Sequence, residues 1–163
     1  KKSILKILDR LQPRSIVVVS SAPQLRYPDC YGIDMARLED LIAFRAALAL
    51  HEEQNTYHIV EEVYEKCKQQ LNRPDENVVN VVKAIYAPFT AEAVSAKIAA
   101  LLSADGIRAR VNIIFQTVEN LHRACPHNLG DWYFTGNYPT PGGNRVVNRA
   151  FINFYEGNKE RAY

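Results

Sequence analysis

The sequence predicts an α/β fold built on parallel strands, and three observations predict it. Ser15-Ile16-Val17-Val18-Val19-Ser20 is a short β-branched run without alternation, the pattern of a strand buried on both faces inside a parallel sheet. An amphipathic helix pattern precedes it, with Ile4, Leu5, Ile7, Leu8 and Leu11 at helical spacing over Lys2 to Leu11. A second strand pattern, Ile107 to Gln116, follows a long stretch of helical periodicity.

The remaining elements follow in order. Gln12-Pro13-Arg14 stops the first helix. The loop Ser21 to Asp34, with Pro23 and Pro28, leaves the first strand at its carboxyl end, where open α/β sheets bind ligands. Ala36 to Glu53 reads as a long helix that turns Leu38, Leu41, Ile42, Ala46 and Leu48 inward. His58 to Leu71 is a second helix, with Val60, Val63, Tyr64 and Cys67 on one face, and Asn72-Arg73-Pro74-Asp75 breaks it. Glu76 to Tyr86 is a helix or a mixed segment, because Val78, Val79, Val81 and Val82 are poor helix formers. Ala91 to Leu102 is a helix capped by Thr90 and closed by Asp105-Gly106. After the second strand, Thr117 to Leu121 starts a short helix. Asn128 to Pro141 reads as irregular strand and turn, and Arg145 to Tyr155 as a last helix ended by Gly157. The turn Pro141-Gly142-Gly143-Asn144-Arg145 has two readings, an anion nest and a plain helix start.

Composition narrows the function classes. The 163 residues are 47% hydrophobic and 23% charged, the profile of a soluble globular domain with one core. A net charge of +2 gives no basic field for nucleic acid. No apolar run approaches the roughly 18 residues of a membrane span. Cys30, Cys67 and Cys125 are an odd, widely spaced set that suits reduced thiols in a cytoplasmic protein. Met35 is the one methionine and Lys1 opens straight into a helix, so the chain reads as cut from a longer parent.

The loop after the first strand is the most informative stretch. Ser20-Ser21-Ala22-Pro23-Gln24-Leu25-Arg26-Tyr27-Pro28-Asp29-Cys30-Tyr31-Gly32-Ile33-Asp34-Met35 resembles the pattern Ser-x-x-Pro-x-x-x-x-Pro-x-x-Tyr-Gly-Ile-Asp of amidophosphoribosyltransferases. Glu39-Asp40-Leu41-Ile42-Ala43 follows at the family spacing. Asn112 to Leu121 looks like the family's last strand and following helix, and Phe134-Thr135-Gly136-Asn137-Tyr138-Pro139-Thr140 is similar to its Phe-x-Gly-x-Tyr-Pro-Thr. The likeness covers about residues 1–55 and 107–163. By the same comparison, about 56–106 is a helical insertion with no counterpart in shorter members. The resemblance implies residues 1–163 to be the C-terminal portion of a type I phosphoribosyltransferase-like domain: part of a parallel sheet, carrying a helical insertion.

That resemblance implies a reaction that moves glutamine-derived ammonia onto C1 of phosphoribosyl pyrophosphate, giving phosphoribosylamine, the first step of purine synthesis. Magnesium accompanies the pyrophosphate, and its ligands would be paired acids in a loop upstream of Lys1. The glutamine-cleaving cysteine would lie further upstream still. No catalytic residue is therefore expected within this chain, and the chain alone is expected to be inactive. A homo-oligomeric parent is implied, together with purine nucleotide effectors in some members. Those effectors bind beside a position where Pro is common and this chain has Ala36.

Four residues are candidates for the pocket or the ammonia passage. Asp34 could make a polar contact to ligand or cap the next helix. Tyr31 could face the substrate or be a buried loop aromatic. Arg26 could fork onto phosphate or be solvated. Leu41 matches a family position that lines the ammonia passage, and it also suits plain core packing. Some members hold an iron–sulfur cluster through four cysteines. Here Asp29, Gly130 and Tyr133 stand where three of those would be, with Cys30 one place off, so no cluster is expected. His122, Cys125 and His127 fit no common zinc spacing. Two other readings remain: a non-catalytic regulator that binds phosphoribosyl pyrophosphate or nucleotides on the same scaffold, and an interaction module built on the inserted helices.

Overall fold

The computed structural model describes residues 2–31, 35–103, 106–127 and 130–162. Helix α1 (Lys2–Asp9) leads into strand β1 (Ser15–Ser20). A 3-10 turn at Leu38–Asp40 precedes α2 (Ile42–Glu53), and α3 (His58–Leu71) follows. Two more 3-10 turns, Asp75–Asn77 and Val81–Ile85, lead to α4 (Ala91–Ser103) and strand β2 (Arg110–Phe115). The chain closes with α5 (Val118–Ala124), α6 (Trp132–Thr135) and α7 (Pro141–Tyr155).

The two strands pair in parallel, Ile16 beside Val111 and Val18 beside Ile113, so the α/β class with a parallel sheet stands. Strand β1 differs from the expectation of burial on both faces. Ile16 is buried, but Val17 and Val19 are 52% and 70% exposed. The cause is one-sided cover. Leu5 of α1 packs with Ile16, Ala109 and Leu102 of α4, and Ile113 and Phe115 lean on the main core. Both helices thus lie on one face, and successive strand side chains point to opposite faces.

One core joins the helices. Phe44 of α2, Val60 and Val63 of α3, Val94 and Ile98 of α4, and Val147 and Phe151 of α7 are all but inaccessible and belong to one cluster. The helical stretch expected at about 56–106 therefore shares its core with α2 and α7. Its removal would strip both of their packing.

The valine-rich segment is neither strand nor α-helix, because buried side chains partner its backbone. Gln70 Oε1 accepts the Val79 N–H at 3.0 Å, and Asn144 donates to the Val78 carbonyl at 2.9 Å. Asn148, fully buried, donates to the Val79 carbonyl at 2.8 Å and accepts the Val81 N–H at 3.3 Å. Asn80 then caps the following turn through the Val82 N–H.

The caps agree with the pattern. Thr90 accepts the Ala93 N–H and Thr117 accepts the Asn120 N–H. Thr140 accepts the Gly143 N–H, so Pro141 opens α7 and the Pro-Gly-Gly turn is the helix start rather than a separate nest.

A buried carboxylate fixes how α1 meets the sheet. Asp9 accepts the N–H groups of Ala109 at 2.8 Å and Arg108 at 3.0 Å. The Ala109 bond, aided by those to and near Arg108, holds its carboxyl below the ordinary 3.8 despite the opposing desolvation. Asp9→Ala should lower the melting temperature at pH 7. The folded carboxyl is the more acidic one, so its stabilisation is complete above the unfolded value and fades as pH falls through the folded value. The gap between wild type and variant should therefore narrow between pH 7 and pH 3, as followed by circular dichroism.

Candidate functional site

The loop that leaves β1 is buried along much of its length. Gln24, Tyr27 and Asp29 are 4%, 3% and 2% exposed. A loop so placed needs partners for its peptide groups. Three tyrosines from two distant stretches supply them. Tyr86 Oη donates to the Arg26 carbonyl at 2.7 Å, and Tyr138 Oη to the Pro28 carbonyl at 2.6 Å. The Tyr133 carbonyl accepts the N–H groups of Arg26 at 2.9 Å and Tyr27 at 3.1 Å, while its hydroxyl donates to Asp29 Oδ1 at 3.0 Å.

Burial is the main cause that raises the phenols of Tyr86, Tyr138 and Tyr133, and on Tyr133 the Asp29 carboxylate adds to the rise. All three stay neutral donors at physiological pH, so they serve as ties and not as bases. Burial first, then Asp29, also raises the Cys30 thiol, which argues against a nucleophile there.

The candidates are placed apart. Arg26 lines an open cleft of about 1140 Å³ between α4 and β2, with Gln24, Ser95 and Phe134. Its guanidinium is already engaged: Nε and Nη2 donate to Gln24 Oε1 at 3.1 and 2.8 Å, and it sits 5.3 Å over the Tyr86 ring. It is a tie within the loop, neither fully solvated nor a fork left open for phosphate. Leu41, 5% exposed, lines a different and more apolar cleft of about 990 Å³ with Val18, Leu25, Ile42, Leu102 and Phe115. Leu41 also belongs to the main core, so it packs and lines a cleft at once.

Tyr31 is 62% exposed and lines neither cleft. Its ring meets the edge of Trp132 at 5.8 Å, so it is not the buried loop aromatic expected as one alternative. Asp34 lies outside the described residues. Sequence reasoning missed Gln24, Tyr86 and Tyr133 as residues that shape the loop. The buried Gln24 amide bridges to the Ala91 carbonyl at 2.7 Å and to Ser95 at 2.8 Å. A glutamine between two prolines carries no periodic signal that could have shown it.

The donors present do not fit an iron–sulfur cluster. Asp29 offers a carboxylate, whose Oδ1 accepts the Tyr133 hydroxyl, in place of a thiolate, and Gly130 offers no ligand atom. Among the described residues no three of His, Cys, Asp and Glu gather at metal-binding distance. His122 instead meets Asp131 at 3.0 Å. No helix among the described residues is long and apolar enough to cross a membrane.

Gly136 is where the C-terminal motif requires its glycine. Its φ is +71°, and a Cβ there would lie 2.6 Å from Asn80 Nδ2 and 2.8 Å from Tyr27 Cζ. Gly136→Ala should cost about 2–4 kcal/mol, joining left-handed strain to overpacking, as measured by urea denaturation. No protein-family model, curated protein or solved structure matches the chain.

Proposed function

We propose that this chain is the C-terminal part of the phosphoribosyltransferase domain of a glutamine-using amidophosphoribosyltransferase. One observation carries the reading. The two stretches that most resemble the family, Ser20 to Met35 and Phe134 to Thr140, grip each other at the carboxyl end of a parallel strand, through Tyr138 and the Pro28 carbonyl at a separation of 110 residues. Ligands of open α/β sheets bind at that end.

In this reading the chain supplies wall and frame, while catalytic acids and magnesium ligands come from a preceding segment. The reaction builds positive charge on the ribose and negative charge on pyrophosphate, so rate depends on placement and on fixed dipoles. A loop whose carbonyls are pinned by neutral phenols is suited to such placement. The apolar cleft beside Leu41 would carry ammonia as the neutral amine, since an apolar wall disfavours ammonium. A cytoplasmic, homo-oligomeric parent that binds phosphoribosyl pyrophosphate and glutamine belongs to the same proposal.

The 163-residue chain, given phosphoribosyl pyrophosphate, magnesium and ammonium, should release no pyrophosphate. A longer protein that contains this stretch should release it with glutamine as nitrogen donor. Turnover by the short chain would refute the division of labour. Tight phosphoribosyl pyrophosphate binding by the longer protein without turnover would replace the enzyme by a regulator.

A further inference from the structure

The helical stretch between α3 and β2 does more than complete the core. Its 3-10 turn at Val81–Ile85 and the residues that flank it stand between the loop and the C-terminal motif, and touch both. On the loop side, Tyr86 donates to the Arg26 carbonyl at 2.7 Å, lies under the Arg26 guanidinium at 5.3 Å, and meets Tyr27 edge to face at 5.4 Å. The next helix joins in, since Gln24 is tied to the Ala91 carbonyl and Ser95 of α4. On the motif side, Asn80 Nδ2 donates to the Gly136 carbonyl at 3.0 Å, and Lys83 reaches Asn137.

These contacts are specific to one arrangement. Asn80 spends its amide oxygen on the Val82 N–H, so its nitrogen is aimed by its own turn. Tyr86 is 3% exposed, and its hydroxyl finds the Arg26 carbonyl inside the protein rather than water. Gly136 has no Cβ, which lets Asn80 and Tyr27 approach the same point. The loop, the turn and the C-terminal motif therefore form a three-part lock with the turn in the middle. Loss of the Tyr86 hydroxyl or of the Asn80 amide takes from the Arg26 or the Gly136 carbonyl the side-chain donor that reaches it, which is the costly case.

We infer that the stretch from Asn80 to Ser95 is the positioning frame of the loop, with Tyr86 as its principal positioning residue. It sets where residues 24–31 stand relative to the end of β1. Under the function proposed above, it would set the substrate wall, and the kinetic arm of the test rests on that reading.

The test compares Tyr86→Phe with Tyr64→Phe. Tyr64 also loses a hydroxyl bond in that change, but to Glu156 on the surface and away from the loop. Native-state hydrogen exchange in the 163-residue chain should show the Arg26, Tyr27 and Asp29 amides exchanging about tenfold faster in Tyr86→Phe. Amides of α2 and α7 should keep their wild-type rates, and Tyr64→Phe should leave the loop unchanged. Gln24→Leu, which cuts the tie to α4 from the loop side, should give the same local pattern and serves if Tyr86→Phe does not fold. Unchanged loop exchange, or an equal acceleration at every amide, would overturn the inference and leave Tyr86 a core filler. In the longer protein, Tyr86→Phe should lower kcat/KM about tenfold while Tyr64→Phe does not. Absence of any turnover in that protein would reject the proposed function alone, since the exchange result stands without it.

Discussion

A loop that lies inside a protein must find partners for its peptide groups there, and this constraint governs the structure. Pro23 through Asp29 is largely shielded from water, and an unpartnered buried carbonyl costs on the order of 1–3 kcal/mol. Phenol hydroxyls meet the need well. They sit on rigid rings that bring their own apolar area, and burial keeps them protonated over the whole working range of pH. Tyr86 and Tyr138 each close one carbonyl, while Tyr133 uses backbone and side chain together. The geometry of the loop is thus decided by residues 60 to 110 positions away.

The same economy of polar groups runs through the helical part. Asn148 and His51 are fully buried, and each is spent on backbone that has no regular partner. Asn148 serves the Val79 and Val81 peptides, whereas His51 Nε2 lies 2.9 Å from the Ile85 carbonyl and Nδ1 2.9 Å from Thr56. A buried polar network with its members satisfied specifies one packing, because any slip leaves several groups unpaired. That explains how an irregular segment rich in valine can hold a fixed place between loop and core.

The sheet shows a different balance. Its covered face packs under α1 and α4 at Ile16 and Val111 and opens into a cleft at Val18, while its other face presents Val17, Val19 and Ile114 to solvent. The outer side of α1 is apolar as well, with Ile4 and Ile7 more than half exposed. The two clefts flank this small sheet and divide the functional candidates: Arg26 belongs to one and Leu41 to the other. Pro23 and Gln24 line both clefts, so the loop is the feature the two share.

The sequence by itself determined the elements whose cause is local. Thr90, Thr117 and Thr140 mark helix starts because a short hydroxyl can reach an amide three residues on. The β-branched run of β1 and the periodicity of α2, α3 and α4 report their own conformation. The loop and its C-terminal counterpart could be singled out as unusual strings of residues. Only the tertiary structure decided that those strings meet, that Arg26 is tied to Gln24, that Tyr31 stands outside both clefts, and that β1 is covered on one face. The reason is physical. A cap or a periodic stripe is a contact within a few residues, whereas a phenol that finds a carbonyl across the fold leaves no trace in the neighbourhood of either.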